Sequence, residues 1–308
     1  MKARAERADA TIAVVCAADQ AYVVPLAATV RSVIERLGPE RRLDVFVIED
    51  AIRRWSRLRL RASWSDSRVR VHGIRLDPAL LPSVPVSGHV SRATYLRLLL
   101  PAVLPDTLSR VIYLDSDVVV RRDLAALWDL PFDGHALLAA QDVVLPFIDS
   151  ELALPRPAAA APHIVAARPV ANYRELGLDP RAKYFNGGVL LVDLARWRHE
   201  GLVDELLRCL RENEAHVRFW DQYVLNVVFH GRWGELDLRW NRQSQIFRYP
   251  SWEASPFDRE TWERARADPW IAHFTSHEKP WHIGYDQPDR ELFFDALRHT
   301  AFRRFRPA

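Results

Sequence analysis

A chain of 308 residues with 49% hydrophobic and 27% charged residues is long enough for one large α/β domain or two smaller ones with a sizeable core. A net charge of +3 with no long Lys/Arg block gives nucleic-acid binding no electrostatic footprint. The two cysteines, Cys16 and Cys209, make neither a disulfide framework nor a Cys-x-x-Cys metal pattern, which fits a reducing compartment and makes the cytoplasm the expected location.

The basic start, followed by the apolar run Thr11 to Ala18, has the outline of a signal peptide, but Glu6 and Asp9 separate head from run and Asp19 ends it. The run reads instead as a buried first strand. Tyr22 to Leu37 carries apolar residues at helical spacing and is stopped by Gly38-Pro39. Leu43 to Ile48 reads as a strand, Ile52 to Trp64 as a basic amphipathic helix and Val69 to Ile74 as a third strand. Such alternation predicts a parallel sheet with helices on both faces. Ser91 to Leu100 reads as a helix closed by Pro101. No stretch reaches the roughly 20 apolar residues of a membrane-spanning helix.

The chain is organised around Arg110-Val-Ile-Tyr-Leu-Asp115-Ser-Asp117-Val-Val-Val120, a buried strand interrupted by two carboxylates, with Arg121 to Trp128 read as a helix beyond it. Ligands in open α/β sheets sit outside the carboxyl ends of strands, where Asp115 and Asp117 can share one hard divalent cation. Alone, the pair fits a capped turn equally well. Ala136 to Gln141 is a further strand ending at Asp142, and residues 143–180 are Ala- and Pro-rich, which prevents long regular elements. Order resumes at Tyr184-Phe-Asn186-Gly-Gly-Val-Leu-Leu-Val-Asp193, where two glycines permit close backbone approach. Trp197 to Arg211 and Trp220 to Phe229 read as helices, with Asp221 and Gln222 in the first turn of the second. The last third is rich in tryptophan and includes Ile271-Ala-His273-Phe-Thr-Ser-His277-Glu-Lys279-Pro-Trp281. With Asp115 and Asp117, His273 offers a neutral imidazole as third protein ligand, and Lys279 a positive charge for a diphosphate.

Taken in order, Ala17-Ala18-Asp19 with Tyr22, Thr94-Tyr95-x-Arg97, Leu114-Asp-Ser-Asp117, Phe185-Asn-Gly-Gly-Val189, Asp221-Gln222 and His273 with Lys279-Pro-Trp281 resemble the retaining family eight glycosyltransferases. That family includes glycogenin and bacterial lipopolysaccharide galactosyl- and glucosyltransferases, and the resemblance runs from Ile12 to Trp281. It implies a GT-A fold: one Rossmann-like α/β domain with a mixed, mainly parallel sheet over 1–308. The expected parts are a nucleotide-sugar half (10–142), an irregular acceptor-side region (143–182), a half that completes the sugar and metal sites (183–285), and a C-terminal helix with a short basic tail (286–308).

The resemblance further implies transfer of glucose or galactose from a UDP-hexose to a glycan, glycolipid or small-molecule acceptor, with Mn²⁺, or alternatively Mg²⁺, held by Asp115, Asp117 and His273. Ala17, Asp19, Tyr22, Ser116 and Lys279 are the implied nucleotide contacts. Arg97, Asn186, Gly187, Asp221 and Gln222 are the implied sugar contacts, and Asp142, Asp221 and Gln222 the implied catalytic residues. Ala21 stands where the family often has Asn, and Ser276 near a common Gly. Bacterial members can carry a long basic, aromatic tail for membrane attachment, whereas Phe302-Arg-Arg-Phe-Arg306 suffices for weak contact with the inner membrane face at most. No oligomeric state is assigned. A sugar-1-phosphate nucleotidyltransferase would need a Gly-rich phosphate loop, which Cys16 to Tyr22 lacks. A catalytically silent sugar-nucleotide-binding protein of the same fold would not need all of Asp115, Asp117, His273 and Lys279.

Overall fold

The apolar run that opens the chain forms β1 (Thr11–Asp19), buried at all but its two end residues, as a strand covered on both faces must be. The structure, a computed structural model, describes residues 11–75 and 92–307. β1 leads through α1 (Val23–Arg36) to β2 (Arg42–Asp50), and through α2 (Arg54–Ser63) to β3 (Val69–Arg75), each strand parallel to the one before. β4 (Arg110–Leu114) pairs parallel with β1 on its other side. β6 (Leu137–Gln141) and β4 flank the antiparallel β7 (Phe185–Asp193), and β8 (Trp233–Glu235) closes the edge parallel to β6.

The order β3-β2-β1-β4-β7-β6-β8 is a mixed, mainly parallel sheet, as the sequence led us to expect. Its winding reverses at the β1/β4 pair, and the crevice outside the carboxyl ends of strands at such a switch is where ligands bind. Asp19 ends β1 and Asp115 follows β4, so both acids stand at that crevice.

The 110–120 stretch does not run on as one strand. Asp115-Ser-Asp117 turns the chain out of the large sheet, and β5 (Val118–Val120) becomes the edge of a second sheet with β10 (Ile271–His273) and β9 (Arg242–Gln243). Antiparallel pairing of β10 with β5 sets His273 opposite Val118, which brings two distant stretches of sequence to one turn. Leaving the sheet also frees backbone groups that need partners. Two hydroxyls on the buried face of α1 meet them: Thr29 Oγ1 lies 2.9 and 2.8 Å from the carbonyl oxygens of Ser116 and Val118, and Ser32 Oγ accepts from Val120 N at 2.8 Å.

Several helices differ from the sequence expectation. Arg92–Leu99 is a 3-10 helix, and Pro101 does not close it but sits in the first turn of a one-turn α-helix, Leu100–Val103, where its missing N–H costs nothing. Ser91 lies outside the described residues. Within 121–128 only Ala125–Trp128 is helical, since Asp123 Oδ1 accepts from Ala125 N at 2.9 Å and sets the start there. The expected helix at 197–211 is two, α3 (Leu194–His199) and α4 (Leu202–Glu212), separated by Gly201 at φ +63°, a left-handed conformation that glycine adopts without steric cost.

α5 (Trp220–Val228), α6 (Arg259–Ala267) and α7 (Arg290–Arg298) complete the longer helices. No helix among the described residues is long and apolar enough to cross a membrane. Both cysteines are free and buried. Phe302 of the basic tail is buried with the Arg59 guanidinium 3.9 Å from its ring centroid, so this aromatic packs against α2.

Candidate active site

The Asp-Ser-Asp turn is aimed by its neighbours. Asp115 N donates to Gly188 O at 2.8 Å. Asp115 Oδ1 accepts from the Tyr113 hydroxyl at 2.8 Å and lies 2.9 Å from Arg97 Nη2. Its other oxygen, Oδ2, lies 3.7 Å from His273 Nε2, and Asp117 Oδ1 is 3.3 Å from the same nitrogen. The ligand atoms of the three residues fall within 4.8 Å of one another, a spacing that one ion with bonds of about 2.1 Å can collect. Asp117 Oδ2 accepts from Lys279 Nζ at 2.6 Å, and Lys279 also donates to Phe274 O at 2.6 Å. Burial alone would raise the Asp117 carboxyl, but Lys279 and His273 outweigh it and hold the group well below the usual carboxylate range.

Beneath the cluster runs the backbone of β7. A Cβ on Gly188 would stand 2.1 Å from His273 Cε1 and 2.8 Å from Asp115 Oδ2, so only glycine lets strand and cluster share this space. Two carboxylates and an imidazole over that floor fit a divalent cation.

The far end of the cleft is built on Arg97 and Asp142. Arg97, buried, donates to Gly187 O at 2.5 Å, lies 2.7 Å from Asp221 Oδ2 through Nε, and stacks 4.7 Å from the Tyr113 ring centroid. One guanidinium thus holds Asp115, Asp221 and the β7 backbone. Burial pushes the Asp221 carboxyl up to about 7, with Arg97 opposing the shift and Asp115 adding to it. Trp220 opens α5 at φ +50°, a left-handed conformation costing a bulky residue about 1–2 kcal/mol. Both oxygens of Asp142 are engaged: Oδ1 accepts from Val144 N and Leu145 N at 2.8 Å each, and Oδ2 from Asn186 Nδ2 at 3.0 Å and Gln222 Nε2 at 3.1 Å. Gln222 Oε1 in turn accepts from Gly187 N at 3.2 Å.

At the near end, Asp19 Oδ1 caps the turn into α1, accepting from Ala21 N at 2.9 Å and Tyr22 N at 3.1 Å. Tyr22 meets the edge of Trp281 with centroids 6.1 Å apart. Ser116 Oγ donates to Ala17 O at 2.8 Å, tying the Asp-Ser-Asp turn to β1. Ser276 turns its hydroxyl to Glu278 O at 2.6 Å.

These groups line one cleft of about 370 Å³. Of the residues given a metal, nucleotide, sugar or catalytic role from sequence, all line it except Gly187 and Lys279. Gly187 acts through its backbone, and Lys279 stands behind Asp117. The close approach expected at the two glycines is found at Gly188, and residues not anticipated are Tyr113 and Asn241, whose Oδ1 is 2.8 Å from His273 Nδ1. The signal that could have found Asn241 is a polar run, Asn241-Arg-Gln-Ser-Gln245, within an aromatic-rich region: its first four residues are all buried.

A mixed sheet of this order with an Asp-x-Asp turn at its switch point, completed by a histidine from a second small sheet, defines a glycosyltransferase fold of the GT-A type. Residues 13–283 match the sequence profile described as Glycosyl transferase family 8, and the chain belongs to that family. It is similar to General stress protein A of Bacillus subtilis strain 168, 26% identical over 297 residues and 96% of either chain. It is also similar to lipopolysaccharide 1,2-glucosyltransferase of Escherichia coli K12, 26% identical over 262 residues, which are 85% of this chain and 70% of the relative. Among solved structures, galactosyltransferase LgtC in complex with donor and acceptor sugar analogs matches with a TM-score of 0.74 at 23% identity, over 94% of this chain and 96% of that one. That last likeness is one of fold.

Proposed function

We propose that this protein transfers a hexose, glucose or galactose, from a UDP-sugar to a glycan, lipid-linked or small-molecule acceptor, with retention at the anomeric carbon and with Mn²⁺ or Mg²⁺ as cofactor. The observation that carries the reading is the convergence of Asp115, Asp117 and His273 within 4.8 Å at the sheet's switch point. Charge supports it. Asp19, Asp115, Asp117, Asp142 and Asp221 line the cleft with Arg97, so a diphosphate would meet a predominantly negative wall unless a divalent cation stood between. When bound by the three ligands, such a cation supplies Lewis-acid stabilisation of the diphosphate leaving group.

In this reading Asp19 and Tyr22 hold the uracil ring, with Ala17 and Ser116 beside them, and Trp281 braces Tyr22. Lys279 adds positive charge near the diphosphate. Arg97, Asn186, Gly187, Asp221 and Gln222 frame the sugar, and region 143–182, two of whose residues (Val144 and Leu145) line the cleft, shapes the acceptor side. Retention through a covalent intermediate needs a carboxylate free to attack the anomeric carbon. Asp142 already accepts four hydrogen bonds and Asp221 is buried against Arg97. That favours same-face attack: the acceptor hydroxyl bonds to the anomeric carbon as the bond to the diphosphate breaks, and a departing phosphate oxygen takes the hydroxyl proton.

The likeness to the Escherichia coli lipopolysaccharide 1,2-glucosyltransferase supports a hexose donor. The test is UDP release from UDP-glucose and UDP-galactose, against GDP- and TDP-sugars, with and without Mn²⁺. Metal-dependent release from a UDP-hexose is expected; no release from any UDP-sugar would turn the reading to a silent binding protein.

A further inference from the structure

Three side chains that line the cleft and one behind them form one unbroken hydrogen-bond chain. His273 Nδ1 lies 2.8 Å from Asn241 Oδ1, Asn241 Nδ2 donates to Asn186 Oδ1 at 2.9 Å, and Asn186 Nδ2 donates to Asp142 Oδ2 at 3.0 Å. An imidazole or a carboxamide can present donor or acceptor on either side, so the imidazole and the two carboxamides by themselves do not set the direction of the chain. A fixed donor does. Gly188 N–H donates to Asn186 Oδ1 at 3.0 Å, and a backbone amide cannot reverse.

The consequence propagates one residue at a time. Asn186 turns its oxygen to Gly188 and its amide to Asp142, whose Oδ1 accepts from two backbone N–H groups. Asn241 must then present Nδ2 to Asn186 Oδ1, which leaves its own Oδ1 for the histidine. His273 therefore meets an acceptor at Nδ1, which favours a proton there and, in the neutral ring, leaves Nε2 as the lone-pair nitrogen facing Asp117 and Asp115 at 3.3 and 3.7 Å. This arrangement works against two pulls. Neutral histidine in water prefers the proton on Nε2, and the two carboxylates facing Nε2 favour a proton there as well. Without an acceptor at Nδ1, the ring would present N–H where a ligand lone pair is needed.

We propose that Asn241 is a positioning residue of the metal centre: with Asn186 it carries the direction of the Gly188 N–H to His273 and holds the imidazole as the Nδ1–H tautomer. The inference rests on the reading of His273 as a metal ligand. Partners of this kind typically change metal affinity about 10–100-fold when removed.

Two readouts on the full chain test it without turnover. One is the imidazole ¹⁵N–¹H correlation of His273 in metal-free, histidine-labelled protein, assigned by its loss in His273→Gln. The other is Mn²⁺ affinity, from the paramagnetic resonance signal of free Mn²⁺. Asn241→Leu keeps the branched side-chain shape and removes the acceptor; it is expected to move the proton to Nε2 and weaken Mn²⁺ binding about 10–100-fold. Asn241→Asp restores an acceptor at Nδ1 but sets a second oxygen against Asn186 Oδ1. Its melting temperature should fall while the Nδ1–H tautomer is kept and Mn²⁺ binds within about threefold of wild type. A merely structural role would lower affinity in step with melting temperature in both variants.

Asn241→Ala, read the same way, serves if the leucine variant does not fold. The proposal is overturned if removing the acceptor leaves the tautomer on Nδ1, or if Asn241→Asp loses Mn²⁺ as Asn241→Leu does. Failure of wild type to bind Mn²⁺ would sink the metal reading and with it Asn241 as a residue of the metal centre, and the tautomer readout still decides the hydrogen-bond chain by itself.

Discussion

Replacing Gly188 by alanine inserts one methyl group where the structure has no room for it. The new Cβ would stand 2.1 Å from His273 Cε1, against an ordinary contact of about 3.4 Å, so the imidazole must retreat by about 1.3 Å or the strand must move by as much. Gly188 is not among the positive-φ glycines, so alanine meets no backbone penalty and the effect is steric. Metal–ligand distances tolerate about ±0.2 Å, several times less than that retreat. Gly188→Ala should lose about 1–3 kcal/mol of stability through overpacking and about 10–100-fold or more in Mn²⁺ affinity. Thermal melts in chelator and Mn²⁺ titration measure the two separately. A variant that melts lower yet binds Mn²⁺ within twofold of wild type would show that Asp115, Asp117 and His273 are not the metal centre.

Asp221 titrates near 7 in the folded chain against an ordinary 3.8. Between those values the folded state holds the extra proton, so this group's contribution to stability falls as pH rises across that window. From pH 6 to pH 8, wild type without metal should lose about 1.4 kcal/mol more than Asp221→Asn by chemical denaturation; equal slopes would refute the shift. Arg97→Ala leaves Asp115 and Asp221 without their shared cation, which for a buried pair costs about 3–5 kcal/mol; a loss under about 1 kcal/mol would show the pairing to be incidental. Gln222→Ala should slow turnover without abolishing it. Complete loss, or a glycosyl group trapped on Asp221 and seen by mass spectrometry, would replace same-face attack with a covalent route.

The β1–β3 repeat is legible in the sequence because β1 and β2 are largely apolar runs, β3 begins with apolar and polar residues in alternation, and the helix between β1 and β2 has its own stop in Gly38-Pro39. The Asp115-Ser-Asp117 turn is legible as two carboxylates ending an apolar run, and the ordered motifs around it separate a ligand site from a capped turn. That the chain changes sheets at this turn is not legible, because Val118–Val120 has the same β-branched composition whichever sheet it joins. Pro101 misled because proline both ends helices and starts them. Gly201 lies inside a regular apolar pattern, and only its φ of +63° reveals the break. His273 drew attention for its chemistry, whereas the residue that orients it, Asn241, is one polar side chain among several. Its importance lies in a contact made across the fold, which spacing along the chain does not encode.

The measurement that bears most directly on the account is calorimetric titration of UDP-, GDP- and TDP-sugars, with and without Mn²⁺, into wild type and an Asp115→Ala/Asp117→Ala variant. Binding of a UDP-hexose that requires metal and is lost in the variant is the predicted result. No UDP-sugar binding under either condition, or metal-dependent binding that survives the double substitution, would contradict the assignment of this turn as the donor and metal site.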